Sequence, residues 1–161
     1  MIKKFNLFFL TFFCTGRIKY APGTFASLFA CLLFLFLTNF FNILILFFFN
    51  ILIFLYSLVA INKSYDSFDS NDPQEIVIDE VVGQMIPLLP IPIYETLYSL
   101  PIGYYCVASF LLFRLFDIWK PFPISYVDRN TQGTLGIMLD DIVAGIYSII
   151  VLILLFFFIG G

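Results

Sequence analysis

Long apolar blocks broken by short polar stretches organise this chain. Residues 25–37 and 40–61 are two such blocks separated by Thr38-Asn39, a pattern that predicts a helical hairpin. The first block is short against the roughly 20 apolar residues a membrane span needs, and borrowing residues on each side completes it. Pro22-Gly23 marks a turn, and Thr24 is the expected N-cap of the helix that follows. Residues 62–72 form the first clearly polar loop. Residues 76–92 are apolar again but carry Pro87, Pro90 and Pro92. They predict a kinked third span, with a re-entrant or surface-lying segment as the competing arrangement. Residues 101–116 make a fourth block, which runs into Arg114, Asp117 and Lys120 before Pro121 and Pro123 stop it. A polar loop is expected over 127–136 and a final span over 142–159. At the start, Lys3 and Lys4 precede a short apolar run, but bulky Phe12-Phe13-Cys14 offers no small-residue cleavage site. Residues 1–13 are therefore expected to stay attached as an interfacial segment.

Composition sharpens this pattern into a class. Of 161 residues, 61% are hydrophobic, 12% are charged and 23 are phenylalanine, against about 25% charged in an average soluble domain. With a mean hydropathy of +1.02, the fold class expected is all-α: a polytopic integral membrane protein of about four to five apolar helices, forming a single domain over 1–161. Three cysteines without metal-ligand spacing predict neither a disulfide framework nor a metal site. With no histidine in the chain, histidine acid–base chemistry, phosphohistidine intermediates and histidine metal sites are excluded.

Basic residues favour the cytoplasmic side of a membrane. With the N-terminus inside and five crossings, all eight Lys and Arg residues fall on that side. The external turns, Thr38-Asn39 and roughly 94–99, hold only Glu95. The same arrangement gathers residues 17–24, 72–80, 114–120 and Asp140-Asp141 at one face.

Two acidic pairs, Asp79-Glu80 and Asp140-Asp141, lie inside otherwise apolar runs, where a charge costs about 2.5–3.5 kcal/mol at a helix centre. With Asp117 they make five candidate catalytic carboxylates. An oxygen-only ligand set suits Mg²⁺, Mn²⁺ or Ca²⁺ and argues against zinc or copper; the candidate metal ligands are Asp79, Glu80, Asp140 and Asp141. Arg17, Lys19, Arg114 and Lys120 are the nearby cations, and the turn before Thr24 offers backbone N–H groups at a helix start. Carboxylates, a divalent ion and cations together describe a phosphate-handling site, and the membrane setting points to a phosphorylated lipid as partner. Nothing points to nucleic acid, and no protein partner is inferable. Each feature has a plainer alternative: structural ion pairs for the acids, an interface anchor for Arg114-Asp117-Lys120, a simple turn and cap for residues 21–24, solvated loop charge for Asp66 and Asp69, and a membrane-interface belt for Trp119.

Four blocks, GRIKYAPGTFAS (16–27), DPQEIVIDEVVGQM (72–85), FRLFDIWKPFPI (113–124) and GIMLDDIVAGIY (136–147), resemble the phosphatidylglycerophosphatase A family in sequence and in order. The resemblance implies an all-helical, Mg²⁺-dependent lipid phosphatase of the bacterial inner membrane with its site facing the cytoplasm. Such an enzyme removes the terminal phosphate of phosphatidylglycerophosphate to give phosphatidylglycerol in phospholipid metabolism. The family's acidic motifs correspond here to Asp79, Glu80, Asp117, Asp140 and Asp141. Many relatives carry a histidine near the position of Pro73; this chain has none, which argues against an essential histidine. Two routes of hydrolysis stay open, attack by a metal-bound water with a carboxylate as general base or attack by an aspartate. The competing function is a small transporter or channel component relaying protons or cations through membrane carboxylates; a small structural subunit would leave the paired acids unexplained. The five-crossing arrangement predicts that a reporter fused at Glu95 shows periplasmic activity. Cytoplasmic activity at that position would contradict it.

Overall fold

The computed structural model describes residues 2–64, 75–91 and 101–159. The described residues form seven α-helices and no strand. These are α1 (Ile2–Leu10), α2 (Pro22–Leu37), α3 (Ile43–Ser64), α4 (Ile78–Leu88), α5 (Ile102–Trp119), α6 (Ile124–Asn130) and α7 (Gly133–Ile159). The expected loop acids Asp66 and Asp69, the turn at 94–99, Pro92 and Pro73 all lie outside the described residues.

Local chemistry sets the helix ends. Pro22 occupies the first turn of α2, where its missing N–H costs nothing, and Ala21 precedes it in the left-handed region at φ 47°. Thr24 is thus a residue of the helix and not its N-cap, a correction that proline's preference for the first helical position explains. At the far end of α2 the Thr38 hydroxyl and Asn39 amide donate back to the Leu35 carbonyl at 2.9 and 2.8 Å. The Asn42 side chain accepts from the Ile45 N–H at 3.0 Å and starts α3. Lys120 closes α5 in the left-handed region at φ 46°, its N–H donating to the Phe116 carbonyl at 2.8 Å.

Two expectations change. The polar loop over 127–136 is instead most of α6, a two-residue link and the start of α7, so the last helix begins at Gly133 and runs for 27 residues. The acidic pair Asp140-Asp141 consequently lies inside a helix. And α4, at 11 residues, rises only about 16 Å against a hydrocarbon core of roughly 30 Å; by itself it does not span. Three helices, α3, α5 and α7, are long and apolar enough to cross a membrane, and α2 is a shorter apolar helix of 16 residues. Phe25, Leu32 and Phe36 on α2, Phe48 and Leu52 on α3, and Phe157 and Phe158 on α7 are exposed. Lipid accepts such a surface and water does not.

Short as it is, α4 is the central element, packed against α2, α3, α5 and α7. Eight of its 11 residues are buried. Its first half joins Ala26, Ala30, Ala60, Ile61 and Met138 in one core cluster. Met85 and Leu88 join Phe34, Tyr105 and Leu152 in a second cluster towards the other end. Buried polar contacts tie α4 to its neighbours: the Asn50 amide donates to the Val82 carbonyl at 3.3 Å, and the Gln84 amide donates to the Ser109 hydroxyl at 3.0 Å. Such links between helices contribute about 0.6 kcal/mol on average in membrane proteins.

The tightest contact is between α4 and α7. A Cβ placed on Gly83 would lie 2.7 Å from the Asp141 carbonyl oxygen and 2.8 Å from a Phe113 ring carbon, and one placed on Gly145 would lie 2.5 Å from the Gly83 carbonyl oxygen. The two backbones touch because neither residue has a side chain. Gly83→Val should therefore lower the melting temperature in detergent, by the equivalent of about 1–3 kcal/mol of overpacking. Gly103→Ala, at a helix position with nothing within 4 Å, should leave it unchanged or raise it. Equal melting temperatures for wild type and Gly83→Val would contradict the close crossing.

Candidate active site

The starts of α2, α4 and α7 and the end of α5 meet at one end of the bundle, around a cavity of about 780 Å³. Asp79 and Glu80 reach it from the first turn of α4, Arg114 and Asp117 from the last turns of α5, and Asp140 and Asp141 from the second and third turns of α7. Lys120 enters just beyond α5. Of the residues expected at the site, these seven line the cavity together.

Three others do not. Arg17 is exposed and lies 3.8 Å from the Glu75 carboxylate, Lys19 is exposed with its ammonium 5.6 Å from the centre of the Tyr20 ring, and Thr24 is not on the cavity wall. The segment before α2 contributes Ala21, Pro22 and Gly23 instead. Asp128, on α6, and the residues Thr131-Gln132-Gly133 also line the cavity, although none of them is among the expected site residues. A lone acid in a polar, loop-like stretch carries no periodic signal.

Within the cavity the charges sort into two groups. Asp79, Glu80 and Asp141 each offer a carboxylate oxygen, and these atoms lie within 4.8 Å of one another. Glu80 Oε2 and Asp141 Oδ1 are buried without a hydrogen-bond partner among the described residues, which is costly for a carboxylate unless something electropositive sits between them. Asp140 stands outside this trio, although it was an expected metal ligand: its Oδ2 accepts from the Lys120 ammonium at 2.7 Å. Lys120 also pairs with Asp128. Burial alone would lower the pKa of the Lys120 ammonium, but its hydrogen bonds to Asp128 and Asp140 outweigh it and raise the pKa above the ordinary lysine value, so Lys120 stays cationic. Arg114, largely buried, meets Asp117 at 2.6 Å three residues along the same helix and approaches the Ser27 hydroxyl at 3.5 Å. Its Nε is buried and unpartnered.

Among the described residues, six carboxylates and two cations line the cavity. With that excess of negative charge, the residues by themselves would repel a phosphate. A divalent cation bound by the Asp79–Glu80–Asp141 trio would offset most of that trio's negative charge. The donor set consists of oxygen alone, as hard cations prefer.

Gly23 has a role that its place in a turn did not disclose. The Glu80 carboxylate occupies the space where a Cβ on Gly23 would stand, and Arg114 Nη1 lies 3.3 Å from that point. The start of α2 thus seats Glu80.

A helical protein with membrane-length apolar helices and a charged, acid-lined cavity at one end of its bundle is a membrane-embedded protein built to handle a polar ligand at the lipid boundary. The profile of the phosphatidylglycerophosphatase A family matches residues 8–156. A protein of Haemophilus influenzae named phosphatidylglycerophosphatase A is 37% identical over 139 residues, covering 86% of this chain and 81% of its own. The Escherichia coli protein of the same name is 33% identical over 141 residues, covering 84% and 74%. A Bacteroides thetaiotaomicron protein named "Putative phosphatidylinositol-3-phosphatase" is 34% identical over 145 residues, covering 88% and 87%. No solved structure matches. The chain belongs to the phosphatidylglycerophosphatase A family and is a phosphoric monoester hydrolase.

Gly23→Ala tests the seat of Glu80. Because the displaced atoms are the free end of a side chain, the melting temperature should hold while phosphatase activity falls by about 10- to 100-fold, the cost of misplacing a site group by an ångström. Full activity in this variant would show that the position of Glu80 does not matter.

Proposed function

We propose that the chain hydrolyses the terminal phosphomonoester of phosphatidylglycerophosphate to phosphatidylglycerol and inorganic phosphate. The reaction would be Mg²⁺-dependent, take place at the cytoplasmic face of a bacterial inner membrane and serve phospholipid biosynthesis. The observation that carries this reading is the meeting of Asp79, Glu80, Arg114, Asp117, Lys120, Asp140 and Asp141 around one cavity at one end of an apolar bundle. A channel or transporter path would instead distribute its charges across the bilayer. The shared name of the family and of two relatives supports the choice of lipid.

Asp79, Glu80 and Asp141 would hold the Mg²⁺, with Asp140 close by and already bound to Lys120. When bound, the ion neutralises phosphate charge and polarises the ester. The chain's own cations do the rest of the binding. Arg114 is fixed by Asp117 and Ser27, which leaves donors, its Nε among them, for phosphate oxygens. Lys120 has three N–H groups; Asp128 and Asp140 take two, and the third is left for the substrate. Donors held in place before the substrate arrives stabilise charge as it builds on the phosphoryl oxygens. The apolar helices keep the lipid's acyl chains in the bilayer while its headgroup enters the cavity.

Purified in detergent, the protein should release phosphate from phosphatidylglycerophosphate with Mg²⁺ and stop with a chelator. Asp79→Asn and Asp141→Asn should each lose about 10²-fold or more in kcat. Phosphatidylinositol 3-phosphate, offered in parallel, should be the poorer substrate; a faster rate on it would shift the assignment to the lipid named for the Bacteroides relative. Wild-type rates in both Asn variants would contradict the site.

A further inference from the structure

Among the described residues Lys120 is a cavity cation held by two carboxylates, and the second of these, Asp128, makes none of the metal or phosphate contacts proposed for the site. It does not belong to the Asp79–Glu80–Asp141 trio. As an extra negative charge on the wall of a cavity that must admit a phosphate, it weakens ground-state attraction. A carboxylate serving substrate binding alone would be out of place there.

Its location resolves this. Asp128 lies on α6, with its side chain 41% exposed, while that of Asp140 on α7 is 12% exposed; the Lys120 ammonium sits between the outer acid and the inner one. Lys120 has a flexible four-carbon stem and leaves the end of α5 from a left-handed backbone position, a conformation unfavourable for a non-glycine residue. With Asp140 alone, the ammonium would be free to swing about that one carboxylate. Asp128, the more exposed of the two, binds it as well, so the ammonium is tethered by two carboxylates on the cavity wall. The pair also ties α6, and through it Thr131 and Gln132, across the cavity's edge.

We propose that Asp128 is a positioning residue for the reaction, acting through Lys120: it holds the ammonium where the third N–H meets an oxygen of the phosphoryl group being transferred. This rests on the phosphatase function proposed above. Asp128 touches no reacting atom. Its effect falls on turnover, while its charge, lying near the phosphate, works against binding.

The test is steady-state kinetics on phosphatidylglycerophosphate with Mg²⁺, with rates expressed per folded protein. Asp128→Asn should lower kcat about tenfold or more while KM stays the same or falls, the pattern of an interaction made in the transition state and lost together with a ground-state repulsion. Asp128→Glu, which keeps the charge, should recover part of that loss. In a Lys120→Met background, Asp128→Asn should have no further effect, since the two residues act as one unit. Wild-type kcat and KM in Asp128→Asn would overturn the assignment, as would an equal fold-loss in both backgrounds. If the wild-type protein releases no phosphate, the proposed function falls and this role falls with it; an active wild type with a silent Asp128→Asn overturns this role alone.

Discussion

The backbones of α4 and α7 touch at Gly83 and Gly145, and the site follows from that contact. Without a hydrophobic drive between helices in lipid, association depends on close backbone packing and buried polar links. Two glycines allow the first, and Gln84–Ser109 and Asn50–Val82 supply the second. The crossing fixes α4, a helix too short to be held by the bilayer, with its first turn beside the second and third turns of α7. Asp79 and Glu80 then face Asp141 across a few ångströms. Any side chain at the crossing separates the helices and, with them, the carboxylates.

Such a placement is unfavourable for the chain by itself. Three carboxylates lie together, two of them with buried oxygens that no group among the described residues satisfies, and the described cavity wall holds six acids to two cations. A core optimised for stability would not be built this way. The imbalance fits the proposed pair of opposite guests, a divalent cation and a phosphate, each of which would make the other acceptable. Arg114 and Lys120 are both held by aspartates, so the cations are fixed in place at the expense of net positive charge.

Much of this was legible in the sequence. Block length and hydropathy place α3 and α5 within a few residues, and the apolar stretch of α7 from 142 onward. The acidic pairs and Arg114-Asp117-Lys120 stand out because charge is rare in apolar runs, and the three-residue spacing of Arg114 and Asp117 already puts them on one helix face. What was not legible has physical reasons. The first turns of α7 are rich in glycine, threonine and aspartate and resemble a loop, because they line a polar cavity and need no apolar face. Arg17 and Lys19 are next to the α2 turn in sequence, but the chain directs them outward; counting cations cannot distinguish the two directions. Gly23 looks like half of a Pro-Gly turn until Glu80 is seen occupying its missing side chain. Asp128 acquires meaning only through Lys120, eight residues earlier.

The proposed divalent-cation site is shared by α4 and α7 through Asp79, Glu80 and Asp141. Binding of Mn²⁺ to the purified protein in detergent, followed by electron paramagnetic resonance and displaced by Mg²⁺, measures it without reference to turnover. The account predicts saturable binding in the wild type that is lost in Asp79→Asn, on α4, and equally in Asp141→Asn, on α7. Undiminished binding in either variant would contradict a site shared between the two helices.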